Sequence, residues 1–504
     1  MKNVYITTTL PYANGDPHIG FALEIVRADV LSRFCQLSGS RVFFNTGTDE
    51  HGLKIYRKAE EKGLETMEYL DQTVDKFKSL RGVLGIGETH FIRTTDPRHK
   101  RGAQELWRRV AENGFIEKRI YQAKYCVGCE MEKTESELVE GGCELHPTYQ
   151  IEQIDEENYF FLFSKFEEKL LALFENNPDF VIPEFRYNEI VAFVKRGLQD
   201  FSISRLKEKM PWGVPVPGDE DHVMYVWFDA LANYITTLGW PGDDTDFSVF
   251  WEGGGAQRVV TQLCGKDNLR QQTAMWQAML MAAGLPNSTQ VFVGGFLTSE
   301  GKKISKSVGN TIDPFAVVEQ YGKEAVRFFL LGALSSYGDG DWSVQRFEEF
   351  YTAHLVNGIG NLTSRILTML EKYGDGVVPA VAPDIFAVEK FWEEYSDAVN
   401  RFDFQTAVEK ILSLVQSCDI HISENRPWEQ VRKGVSVEVL LYQYAECLRH
   451  VAYALLPIIP ETAEAILLQL GVGSTEVLRS GRLVWGGLPP GGQIKKGNIL
   501  FPRL

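Results

Sequence analysis

His18, Lys303 and Lys306 are the side chains whose setting suggests chemistry first. His18 lies in "PYANGDPHIGF" (11–21), between a β-like run and a helical pattern. Asn14-Gly15 tolerates a tight turn, and Gly20 lets a bound group approach the backbone where a helix opens. A helix N-terminus offers unpaired N–H groups and a partial positive charge, so it attracts phosphate. A histidine there can donate to a phosphate oxygen. "GKKISKS" (301–307) spaces Lys303 and Lys306 among serines after a glycine. Mobile ammonium groups suit a polyphosphate whose charge moves during reaction. In "GKD" (265–267), Gly265 and Asp267 follow the β-rich "RVVTQLC". A carboxylate just past a strand end can accept from a ribose hydroxyl. "TGTDEHG" offers Asp49 and His51, and "YVWFDALANY" offers Trp227, Asp229 and Tyr234. Aromatic side chains near a site form an apolar slot. Taken singly, these also read as a loop histidine, a solvated basic loop and core aromatics.

A second constellation is metal-like. Cys126-x2-Cys129, thirteen intervening residues, then Cys143-x2-His146 pairs soft ligands across a loop. That spacing matches a tetrahedral structural zinc site with no open catalytic position. A metal-free knuckle is the alternative.

The elements that must hold these residues can be read from periodicity. Asn3–Thr9 is β-like, and from Ile19 the apolar residues Ile19, Leu23, Val26, Val30, Phe34 and Leu37 fall at helical spacing. Ser38-Gly39 ends that helix, and Arg41–Asn45 reads as a second strand. Strand, helix, strand predicts a parallel α/β sheet. Ligands in such sheets sit beyond the carboxyl ends of the strands, where both "PYANGDPHIG" and "TGTDEHG" fall. Residues 116–215 change character and read as an inserted domain. The α/β pattern returns over 222–330, and a helical pattern runs from about 345 to about 470.

The bulk properties set limits. A chain of 504 residues suggests about three or four domains. No run of 18 apolar residues appears and no signal peptide opens the chain, so no membrane association is expected. A net charge of −16 disfavours gathering nucleic acid by overall charge, while leaving a local basic groove open. Of seven cysteines, three cluster and the rest scatter. This is no disulfide framework, and a reducing, cytoplasmic setting is expected.

The order of the motifs is more specific than any one of them. His-Ile-Gly near the start and Lys-Ile-Ser-Lys-Ser near 305 resemble the HIGH and KMSKS signatures of class I aminoacyl-tRNA synthetases. "TLPYANGDPHIG", "NTGTDEHGLKI", the cysteine insert, "DFSISR", "VWFDALANY", "GKD" and "LFPR" resemble the methionyl-tRNA synthetase family in particular, over essentially the whole chain. The resemblance implies an α/β class I Rossmann-type parallel sheet with a zinc-bearing insert and a C-terminal all-α bundle. The implied division is a first catalytic half (1–115), a connective insert with the zinc knuckle (116–215) and a second catalytic half (216–300). A stem with the KISKS loop (301–345) and a helical anticodon-binding domain (346–504) follow. The implied reaction is activation of methionine by ATP with Mg²⁺, then transfer to tRNA(Met), with release of pyrophosphate and AMP.

Carried over residue by residue, the resemblance has His18 and Gly20 at the ATP phosphates. Lys303 and Lys306 would stabilise the departing pyrophosphate, Asp267 would face the ribose, and Gly265 would belong to the ATP site. Asp49 would hold the substrate amino group, with Arg205 organising nearby. Leu10, Tyr12, Trp227, Ala230 and Tyr234 would line the methionine slot, where a thioether meets aromatic walls. One structural zinc ion would be held by Cys126, Cys129, Cys143 and His146. Asn361, Arg365 and Trp428 match the family's readers of a CAU anticodon, by hydrogen bonding and stacking. With no appended dimerisation module, a monomer is expected.

Three positions depart from the pattern. Phe21 replaces the second histidine of the HIGH motif and cannot donate to phosphate. Loss of one transition-state donor costs about 3–4 kcal/mol by analogy with oxyanion-hole deletions. Gln272 stands where the family has a pocket histidine, and Gly294 where many members carry a histidine near ATP. The departures leave three accounts: a working synthetase with a repacked site, a paralogue with altered amino-acid or acceptor choice, or a catalytically silent tRNA-binding protein.

Overall fold

The computed structural model describes residues 2–128, 131–133, 138–139, 141–144, 150–242, 245–253, 258–303, 311–473 and 483–504. Its centre is a six-stranded sheet. The strands are β1 (Asn3–Thr8), β2 (Arg41–Thr48), β3 (His90–Arg93), β4 (Val181–Ile182), β5 (Arg258–Gly265) and β6 (Gln290–Gly294). They lie in the order β3-β2-β1-β5-β6-β4, every pair parallel. β1 pairs with β5 from Asn3↔Arg258 to Thr8↔Leu263, and with β2 from Asn3↔Arg41 to Thr7↔Asn45. Chain direction around the sheet reverses between β1 and β5. That is the crevice where an open parallel sheet binds its ligand.

β2 runs three residues past the expected Asn45, to Thr48. Gly47 permits this, because a Cβ there would lie 2.0 Å from the Ile92 carbonyl oxygen of β3. Asp49 therefore emerges at the strand's carboxyl end, bridged to Tyr12 beyond β1.

Helix α1 (Ile19–Leu37) follows the expected bounds, but its apolar stripe understates its burial. It packs on the sheet and against the helices Lys323–Gly332 and Val388–Asn400, so Arg27 and Asp29 are buried as well. A buried carboxylate needs partners. Asp29 has Arg33 Nε at 2.8 Å, Arg327 Nη2 at 2.6 Å and the Gly87 N–H at 2.8 Å. Arg327 also donates to the carbonyls of Ile458 (2.7 Å) and Pro457 (3.0 Å). One buried guanidinium thus joins the central sheet's first helix to the C-terminal helices.

Within 116–215, strands Ile116–Cys126 and Ile151–Phe161 form a long antiparallel pair, from Ile116↔Phe161 to Cys126↔Ile151. The same stretch also returns to the body of the central sheet, because β4 is its edge beside β6. Between Val344 and Gln469 the chain is mostly helical, with α2 (Asn361–Tyr373), α3 (Phe404–Asn425) and α4 (Glu438–Leu455) packed together. Their core is continuous with that of α1.

Candidate active site

A cavity of about 440 Å³ opens at the β1/β5 crevice. His18, Gly20, Phe21, Glu24 and Arg27 of α1 face it from one side, and Gly265, Asp267 and Gly294 from the strand ends. His18 caps α1, its Nδ1 accepting the Gly20 N–H at 3.1 Å. The remaining proton is then on Nε2, so the ring can donate outward. Gly20 leaves room beneath it, since a Cβ would fall 3.0 Å from that ring nitrogen. A Cβ on Gly265 would meet an Asp267 carboxylate oxygen at 2.6 Å. The two glycines therefore let His18 and Asp267 fold back over their own elements.

Phe21 is buried and meets Phe77 edge to face, with centroids 5.4 Å apart. Such a pair contributes about 0.5–1.5 kcal/mol beyond the area it buries. A ring held in this way supplies packing to the cavity wall and no donor. Glu24 sits one turn further along α1 and accepts the Thr9 N–H at 2.7 Å. Desolvation, helped by the nearby Asp267 charge, outweighs that hydrogen bond and pushes the Glu24 carboxyl up to about 8.

The expected amino-acid slot adjoins this cavity through Tyr12, which lies on its rim. Tyr12 and Trp227 both pack on the cluster of Tyr125, Val127, Tyr225 and Val226. Arg205 is buried between Tyr125 and Tyr225, its guanidinium 5.2 and 4.6 Å from the two ring centroids. It donates to Ser202 Oγ at 2.7 Å and the Ser204 carbonyl at 2.8 Å. Leu10, Asp49, Ala230 and Tyr234 are buried, and none of them lines the cavity itself.

Gln272 is also buried, and its amide is engaged on both sides. Its oxygen accepts from Gln262 Nε2 at 3.0 Å, and its nitrogen donates to the Tyr234 hydroxyl. Gln262 in turn meets Gln277 and Ser288. A polar group satisfied inside the wall imposes no demand for a polar ligand. Gln272, at the position of the family's pocket histidine, is thus engaged by its own neighbours Gln262 and Tyr234.

Three residues outside the expected site hold it from behind. Asp229 Oδ2 lies 2.6 Å from His51 Nδ1 and Oδ1 lies 2.7 Å from His99 Nε2, with all three side chains buried. His99 Nδ1 reaches Thr236 Oγ1 at 2.9 Å. Burial acts to raise the Asp229 carboxyl, but the charges and hydrogen bonds of the two imidazoles outweigh it and hold it well below the usual carboxylate range. The arrangement pins the turn after β2 to the helix Val226–Leu231, which carries Trp227 and Ala230. His51 and Asp229 stood out by type in the sequence. His99 had only its place on the helix Pro97–Glu112 to mark it, and that is no signal of a partner.

The remaining expected residues are spread more widely. Lys303 lies in the short strand Lys302–Lys303, paired with Leu297–Ser299 around a turn at Glu300-Gly301 whose φ values are 52° and 73°. Lys306 lies outside the described residues, as do Cys129 and His146. Cys126 closes the long strand, Cys143 sits in the two-residue strand Gly142–Cys143, and both thiols are buried. Buried thiols are of the donor type zinc takes. In the helical region Asn361 and Arg365 share a face of α2. Arg365 pairs with Asp419 on α3 and reaches Ser423 Oγ at 3.4 Å. α3 ends at Arg426 in the left-handed region, and half-buried Trp428 follows directly. The three side chains read as nucleotide contacts thus come from α2 and from the short helix Pro427–Arg432 that follows its neighbour.

Comparison with known proteins bears on the family and the fold. The family pattern described as tRNA synthetases class I (M) matches residues 4–155 and 146–367. A methionine–tRNA ligase of Thermosynechococcus vestitus is 41% identical over 99% of this chain and 97% of its own. One from Rickettsia felis is 38% identical over 100% of this chain and 99% of its own. The structure of Mycobacterium tuberculosis methionyl-tRNA synthetase in complex with methionyl-adenylate superposes with a TM-score of 0.92 at 35% identity, covering 100% of both chains. The apo form of that protein gives 0.86 at 32% identity, covering 100% of this chain and 98% of that one.

Proposed function

The chain belongs to the methionyl-tRNA synthetase family of class I, and on that premise we propose that the cavity beside His18 takes ATP and the slot behind Tyr12 takes methionine. It is an aminoacyl-tRNA ligase. Methionine is activated by ATP to methionyl-adenylate with release of pyrophosphate, and the methionyl group then passes to tRNA(Met) with release of AMP. The observation that carries the assignment is the meeting, at one sheet crevice, of the His18-capped helix N-terminus, the Asp267 carboxylate and the aromatic rim at Tyr12.

ATP lies with its phosphates toward the α1 N-terminus and its ribose toward Asp267. His18 donates from Nε2 to the phosphates as negative charge shifts onto the leaving pyrophosphate. Lys303 and Lys306 follow that charge from the KISKS loop, and Mg²⁺ accompanies the ATP. Asp49 binds the methionine ammonium, and Arg205 fixes the aromatic rim. The methionine carboxylate oxygen attacks the α-phosphorus as the bond to the β-phosphate oxygen breaks. The tRNA terminal ribose hydroxyl then attacks the adenylate carbonyl. Groups aimed at developing charge count in the transition state more than in the ground state. His18→Ala and Lys306→Ala should each lower kcat for ATP–pyrophosphate exchange by about 100-fold or more, with methionine KM little changed. A loss confined to methionine KM would contradict these roles.

A structural zinc ion held by Cys126, Cys129, Cys143 and His146 would close the insert's hairpin. Metal analysis should find one zinc per chain. Chelation should loosen the insert, seen as new proteolytic cleavage near residues 126–150. Zinc-free protein with unchanged cleavage would count against it. Asn361, Arg365 and Trp428 read the anticodon, and the enzyme acts as a monomer in the cytoplasm.

A further inference from the structure

We infer that Arg27 is a nucleotide contact of this enzyme, a guanidinium that meets the base end of ATP in the room left by Gly294. The inference rests on the assignment of the β1/β5 cavity to ATP. Arg27 is only 3% exposed, and the surface it keeps faces that cavity. It lies nine residues after His18 on α1, about 13 Å along the helix at 1.5 Å per residue. Phosphate gathers at the helix N-terminus, so a group two and a half turns deeper meets the opposite end of a nucleotide.

The guanidinium is held on one side only. Nη2 donates to the Ser335 carbonyl at 2.7 Å, and the carbon of the fork sits 5.8 Å from the Phe292 ring centroid. Among the described residues neither Nε nor Nη1 has a hydrogen-bond acceptor, and Nε is fully enclosed. Gly294 explains the space beside Nη1, since a Cβ there would fall 3.0 Å from it. Gly294 is not among the glycines with positive φ, so its backbone does not require glycine. The side chain is absent where the guanidinium stands.

The charge is available too. Burial lowers the Arg27 guanidinium only to about 10, so it is a cation at neutral pH. Glu24, one turn earlier, is pushed up to about 8 and does not cancel that charge at pH 7. A planar guanidinium can donate to ring nitrogens and stack on an aromatic heterocycle. With Phe21 supplying no donor, Arg27 restores a polar contact to this wall of the cavity.

The test is ATP–pyrophosphate exchange with wild type, Arg27→Gln, Arg27→Lys, Gly294→Ala and the Arg27→Gln/Gly294→Ala double variant, with adenosine as a competitor of ATP. Arg27→Gln should raise KM for ATP and Ki for adenosine by the same factor, about tenfold, the scale of one charge-assisted hydrogen bond. Methionine KM should stay put, and Arg27→Lys should fall between. Gly294→Ala should weaken ATP in the wild-type background and add nothing to Arg27→Gln. A lowered Tm with unchanged KM would make Arg27 only a tie to Ser335 and overturn the inference. So would an effect on ATP but not adenosine, which would place Arg27 at the phosphates. An equal Gly294→Ala effect in both backgrounds would also overturn it. If Arg27→Gln does not fold, Arg27→Lys and Gly294→Ala carry the same comparison. Absence of exchange by wild type would remove the ATP assignment itself, a failure distinct from these.

Discussion

At Glu24 a carboxyl pushed up to about 8 faces the same cavity as Asp267, so its charge changes within a range that activity assays reach. Near pH 7 it is protonated, and above pH 8 it adds an anion to the cavity proposed for ATP. KM for ATP should therefore rise between pH 7 and 9. Glu24→Gln should flatten that rise, because the amide still accepts the Thr9 N–H and cannot ionise. Stability follows the same sign. The folded value lies above the ordinary 4.5, so Glu24's contribution is intact below about 4.5 and is lost as pH climbs through 8. An identical KM–pH profile in both proteins would exclude Glu24 as the titrating group. Phe21 and Gln272 show how residue types mislead at this scale. Both stand where a donor histidine is expected. One is packed against Phe77, and the other has its amide engaged by Gln262 and Tyr234.

At the scale of elements, the Asp229 carboxylate with His51 and His99 locks the turn after β2 to the helix bearing Trp227. Asp229→Asn removes a buried charge that two imidazoles are arranged around, and should cost about 3 kcal/mol of stability, with a raised methionine KM. In the wild type, Asp229's contribution is present above the ordinary carboxylate range and lost only as pH falls through its depressed value. Equal denaturation midpoints and equal methionine KM for the two proteins would contradict the role. Much at this scale was legible in the sequence. α1 was placed to the residue from spacing and the Ser38-Gly39 stop, and the parallel sheet came from the strand–helix–strand rhythm. β4 was not, because two residues carry no period. The burial of Arg27 and Asp29 was not either. Their polarity marks them as surface residues, and only the arrival of Arg327 and Ser335 from distant sequence makes their burial tolerable.

At the scale of the molecule, Arg327 joins Asp29 of α1 to the Ile458 and Pro457 carbonyls beside α4. Arg327→Ala strips several buried acceptors at once and should lower unfolding stability by about 3–5 kcal/mol, read by denaturant titration. It should weaken tRNA charging more than pyrophosphate exchange, because the helices carrying Arg365 and Trp428 lose their tie to the catalytic sheet. Proportionate loss in both assays would argue against that coupling. The most direct test of the whole account is pyrophosphate exchange with each of the twenty amino acids, plus homocysteine and norleucine. Exchange with methionine, weaker exchange with its close analogues and none with polar side chains is the predicted result, since Gln272 is engaged within the wall. Preference for a polar amino acid, or no exchange from folded protein, would contradict it.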